Sequence, residues 1–142
     1  MRPLRFTPQL KSLIWGGEKI APYKGIRTGG RNIGESWELS GVAGNESVVA
    51  EGEYAGRTLP ELIARYGDKL VGAYAGETFP LLLKLLDARE SLSVQVHPGD
   101  AYAHEHENGK LGKTEAWLIL RAEPGSELVY GIVPGTELER LR

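Results

Sequence analysis

The chain has no cysteine among its 142 residues. That absence excludes disulfides, thiolate metal sites, thiol nucleophiles and cysteine-held iron–sulfur clusters. An excess of charge of one sign is also lacking. Seventeen Lys and Arg stand against nineteen Asp and Glu, a formal net charge of −2. No basic field exists to hold a phosphate backbone, so nucleic acid is not an expected partner. Long apolar runs are missing too. The longest, residues 79–86, contains Pro80 and Lys84 and is far too short to cross a bilayer. The N-terminal stretch MRPLRFTPQLKSLIW carries charges where a signal peptide needs an apolar core. The expectation is a soluble cytoplasmic protein with no membrane partner. The chain has no internal repeat, and G-x-G-x-x-G, Walker and G-x-S-x-G motifs are absent.

What is present points to one domain, residues 1–142, that is mainly β. Nineteen glycines, about twice the usual share, and eight prolines break the chain into short segments. Strand patterns fall at 35–40, 79–87, 91–97 and 114–121, with shorter ones at 46–50 and 127–131. Residues 8–15 fit either a short helical turn or an extended edge. One helix is well signalled. Thr58 and Glu61 form a capping-box pair, Leu59, Leu62, Ile63 and Tyr66 follow at helical spacing, and Gly67 can end it. Residues 21–34 and 98–112 read as loops, and the closing PGTELERLR reads as the start of a helix.

The chemistry clusters late in the chain. All three histidines lie between 97 and 106. Alternation along 91–97 puts Ser93, Gln95 and His97 on one face, about 7 Å apart at each step, and Leu92, Val94 and Val96 on the other. Lys113, Glu115 and Trp117 share a face in the same way. If these segments are neighbours, Gln95, His97 and Glu115 converge. An amide, an imidazole and a carboxylate suit Zn²⁺, Mn²⁺ or Fe²⁺. A solvated polar sheet face carries the same pattern. Lys84 sits in the apolar run PLLLKLL. It reads either as a cation lining a polar cavity or as a lysine reaching outward from a strand edge. His104 and His106 read as residues of a solvated loop.

Four stretches together resemble type I mannose-6-phosphate isomerase (phosphomannose isomerase), particularly its short bacterial form. They are LKSLIWGG at 10–17, IGESWELS at 33–40, FPLLLKLLDARESLSVQVHPGD at 79–100 and GKTEAWLIL at 112–120. The resemblance implies a cupin-type double-stranded β-helix, or jelly roll, with one or two short helices. It implies one zinc ion per chain, or another divalent ion, held by Gln95, His97 and Glu115. It implies a small sugar phosphate as the molecule bound, with Trp15, Glu35, Lys84, Ser93 and Lys113 lining its cavity. Lys113 and Glu115 are the implied catalytic residues. The implied reaction interconverts mannose 6-phosphate and fructose 6-phosphate through a cis-enediol. The pattern also implies a further metal-binding histidine and an active-site arginine beyond these stretches. No histidine follows His106. The expectation is therefore the N-terminal part of such a barrel, incomplete at its C-terminus, with a non-catalytic sugar-phosphate or metal-binding module as the alternative.

Overall fold

The structure, a computed structural model, describes residues 2–141. Two compact units divide the chain, one up to Leu92 and one from Ser93 onward.

The first unit holds the strands. β1 (Phe6–Thr7) pairs with β4 (Val48–Val49). β2 (Gln9–Lys11), β3 (Glu35–Ser40) and β5 (Leu82–Leu86) form an antiparallel sheet with β3 in the centre. The register sets Lys11 against Glu35, Gln9 against Trp37 and Trp37 against Lys84. Side chains directly opposite one another across a ladder share a face. Gln9, Lys11, Glu35, Trp37 and Lys84 therefore stand on one side of this sheet. A shift in register between Trp37 and Leu39 leaves Glu38 as the extra residue of a β-bulge.

Beneath lie Ile20, Ile33, Val49, Leu59 and Leu62, all buried. Ser36, Ser40 and Ser47 are buried among them and satisfied. The Ser36 hydroxyl donates to Glu38 at 2.6 Å, and Ser47 Oγ accepts from the Ser40 amide at 2.8 Å. Among the described residues no buried side-chain nitrogen or oxygen lacks a partner, as expected where an unmade hydrogen bond costs more than a made one gains.

α2 (Leu59–Tyr66) forms as its cap predicts. Glu61 N donates to Thr58 Oγ1 at 3.3 Å, and Glu61 Oε2 accepts from the Thr58 amide at 2.8 Å. α1 (Ile20–Lys24), α3 (Asp68–Val71) and a 3₁₀ turn at Gly72–Tyr74 complete this unit.

The second unit holds α4 (Asp100–His106) and a 3₁₀ turn at Leu138–Leu141, where a helix start was expected; Arg142 lies outside the described residues. Here the structure departs from the strand pattern. Segments 91–97, 114–121 and 127–131 enter no ladder among the described residues. Alternation specifies a face, but a strand also needs a neighbour to take its backbone hydrogen bonds. Two expected loops are partly helical, at α1 and α4. His104 and His106 thus sit in the last turn of a helix, and the Tyr102 and His106 rings lie 4.2 Å apart. The short edge β2 resolves the two readings of 8–15. Among the described residues no helix is long and apolar enough to cross a membrane, and no closed barrel forms.

Candidate functional site

Each unit brings part of the expected residue set together. In the second unit the assembly starts from glycine. Gly112 lies so close to the 98–100 backbone that a Cβ there would come within 2.6 Å of the Pro98 carbonyl oxygen. Its amide donates to the Asp100 carboxylate at 2.8 Å. Asp100 is also the first residue of α4. This docking of Gly112 on Pro98–Asp100 sets Lys113 beside His97.

Three charged or ionisable groups then meet. Lys113 Nζ donates to Glu115 Oε1 at 2.7 Å and lies 3.3 Å from His97 Nε2. His97 Nε2 lies 3.7 Å from Glu115 Oε2. The Lys113 ammonium thus lies within hydrogen-bond reach of both the Glu115 carboxylate and the His97 ring. The Glu115 carboxyl is held below its usual range. The Lys113 hydrogen bond is the main cause. Partial burial opposes it, while the Lys113 charge, the Trp117 side chain and His97 add to the lowering.

A carboxylate and an imidazole thus converge on one cation. In kind they fit a divalent ion such as Zn²⁺. Gln95 is not drawn to them, because its amide donates to Ser93 Oγ at 2.9 Å. Among the described residues no three His, Cys, Asp or Glu side chains cluster closely enough to hold a metal ion by themselves.

In the first unit, β3 and β5 bring Glu35 and Lys84 together. Lys84 Nζ is 3.4 Å from both Glu35 oxygens. Their side chains are 16% and 20% exposed, so Lys84, though on an edge strand, is mostly covered and paired. The pair rests on Trp37, which the sequence reading passed over. Its indole nitrogen donates to Glu35 Oε2 at 2.6 Å, and Lys84 Nζ lies 5.3 Å from its ring centroid. The missed signal was the spacing Glu-x-Trp, which puts both side chains on one strand face. Trp15 follows β2 and packs against Gly34, where a Cβ would lie 2.9 Å from its ring. Its carbonyl accepts from the Arg89 amide at 2.9 Å.

Comparisons with known proteins identify the family. Residues 4–118 match the model of the phosphomannose isomerase type I catalytic domain. The chain is 46% identical over 129 residues to mannose-6-phosphate isomerase ManA of Bacillus subtilis, covering 91% of this chain and 40% of that protein. It is 44% identical over 129 residues to the mannose-6-phosphate isomerase of Streptococcus mutans, with the same coverage of each. The crystal structure of the mannose 6-phosphate isomerase from Bacillus subtilis superposes with a TM-score of 0.71 at 41% identity, over 79% of this chain and 35% of that one. The chain thus spans about 40% of the length of the curated relatives it matches.

Proposed function

Because the chain belongs to the type I phosphomannose isomerase family, with a mainly β fold of the cupin type, we propose that it serves a zinc-dependent aldose–ketose isomerase of the cytoplasm. The reaction interconverts mannose 6-phosphate and fructose 6-phosphate. The observation that carries this reading is the Lys113–Glu115–His97 cluster, which falls within the family match.

The roles follow from the chemistry. A proton leaves C2 while the C1 oxygen gains one, giving a cis-enediol. A proton then returns to C1 as the C2 hydroxyl gives up its proton and becomes a carbonyl. Negative charge builds on both oxygens in passing. Lys113 supplies a fixed positive charge for that moment. His97 and Glu115 would hold the zinc ion, with Gln95 joining them only if it leaves Ser93; the ion supplies Lewis-acid polarisation of the sugar oxygens when bound. Glu35, Lys84, Trp15 and Ser93 are the proposed substrate contacts. The dianionic phosphate needs cations or N–H donors, and Lys84 is one such cation.

The test is formation of fructose 6-phosphate by the purified chain, shown folded by circular dichroism and supplied with Zn²⁺. We expect turnover that a chelator abolishes and Zn²⁺ restores. A folded, zinc-supplied chain that neither binds nor converts mannose 6-phosphate would overturn the reading. A second reading, a sugar-phosphate or metal-binding module without turnover, draws on the finding that among the described residues no three His, Cys, Asp or Glu side chains are placed to hold a metal ion. Binding of both ligands without conversion would support it.

A further inference from the structure

We infer that Lys11 is a further anion-binding residue, the cation that receives the phosphate group of a sugar phosphate on the β2–β3–β5 sheet face. The identity of the ligand rests on the isomerase reading, but the anion site rests on its own geometry.

The sheet face carries two ammoniums and one carboxylate. Lys84 and Glu35 pair with each other. Lys11 stands directly across from Glu35 in the ladder but does not pair with it. The carboxylate is instead held by the Trp37 indole at 2.6 Å and by Lys84 at 3.4 Å. Lys11 donates to neutral oxygens, Oδ1 of Asn45 and Oε1 of Gln9. Gln9 is itself fixed, its amide donating to the Asn45 and Glu46 carbonyls at 2.8 and 3.0 Å. The Lys11 ammonium also lies 4.7 Å from the Trp37 ring centroid, while Lys84 lies 5.3 Å from the same ring.

The result is a half-buried cation with no carboxylate partner among the described residues. Charge in that position is costly until an anion balances it. An ammonium has three donors, and two are engaged here by neutral acceptors. No oxygen of a described residue accepts from the third. Lys84 lies near the same indole but is paired with Glu35, so the unbalanced charge on this face is that of Lys11. A phosphate dianion suits an unpaired ammonium better than a neutral sugar hydroxyl does. Lys11 is thus the uncompensated cation on a face otherwise balanced in charge.

The experiment is calorimetric titration of the full chain with inorganic phosphate and, separately, with mannose 6-phosphate. Lys11→Met is expected to raise both dissociation constants at least tenfold, and Lys11→Arg to stay within about threefold of the parent. Lys69→Met, which removes an exposed cation from α3, is expected to leave both unchanged. A second measurement needs no variant. Saturating phosphate should protect Lys11 from amine acylation, read by mass spectrometry, and should leave Lys69 labelled as before. Equal affinities in the parent and Lys11→Met, or Lys11 labelling indifferent to phosphate, would overturn the inference. Phosphate binding that depends on Lys11 in a chain without isomerisation would leave the subsite standing while the isomerase reading falls. Isomerisation with an unchanged KM in Lys11→Met would do the reverse.

Discussion

Two glutamates in this chain are each followed two residues later by a tryptophan. Trp37 donates its indole N–H to Glu35, and the Trp117 side chain contributes to the lowered pKa of Glu115. A hydrogen bond to a carboxylate is worth about 1.5–3 kcal/mol when its loss leaves the acceptor short of a partner. Trp37→Phe keeps the ring beneath Lys84 and Lys11 and removes only the donor. It should destabilise the chain by about 1.5 kcal/mol in urea denaturation, with the far-UV spectrum unchanged. A variant as stable as the parent would show that the indole donor contributes nothing net. In the second unit the lowered Glu115 pKa keeps that carboxylate charged into mildly acidic solution. His97→Ala should abolish zinc retention after gel filtration without altering far-UV circular dichroism, since His97 belongs to no ladder or helix. Glu115→Gln should weaken zinc binding about tenfold or more. Zinc held by His97→Ala as firmly as by the parent would remove His97 from the ligand set.

At the scale of elements, α2 shows how a local rule becomes energy. The Glu61 carboxyl is held below its usual range chiefly by the hydrogen bond from the Thr58 amide, with Arg57 adding to the effect. A depressed folded pKa means that its contribution is present above the ordinary carboxylate range. It is lost as pH falls through the depressed value. Thr58→Ala removes the other half of the box and should cost about 1 kcal/mol. Glu61→Gln should flatten the acid limb of a stability–pH curve measured by thermal melts. A curve of unchanged shape would show that the box contributes nothing to acid sensitivity. α2 and β3 were legible because each is specified locally, by a cap or by an alternating run. α1 and α4 were not, since they are short and lack side-chain caps. The segments at 91–97 and 114–121 have strand alternation, yet pairing depends on a neighbour that no local pattern encodes. The site was legible in a parallel way. Alternation put Lys113 with Glu115, and the structure joins both to His97 although no ladder forms. Lys11 went unread because its importance lies in cross-strand register, which sets it against Glu35 more than twenty positions away, whereas Trp37 was signalled locally by the Glu-x-Trp spacing.

Across the whole chain, apolar burial is uneven. Ile20, Ile33, Val49, Leu59 and Leu62 are buried in the first unit, whereas Ala103 is the buried hydrophobic residue described in the second. Val94, Val96, Leu118 and Val133 are each more than three-quarters exposed. Burial of apolar surface is the main favourable term in folding, so resistance to opening should follow the same division. In amide hydrogen exchange, β3 should exchange far more slowly than residues 113–133, which take part in no ladder. A ligand that binds only the ordered arrangement adds stability by mass action, about 2.7 kcal/mol at a concentration one hundred times its dissociation constant. If His97 and Glu115 hold zinc, its addition should slow exchange around 97–100 and 112–115 and leave β3 unchanged. The local gain is expected because Gly112, Asp100, Lys113 and His97 are already linked by hydrogen bonds. Exchange that is uniform along the chain would refute the division of stability. Exchange at 97–100 and 112–115 that ignores zinc would refute the metal assignment while leaving that division in place.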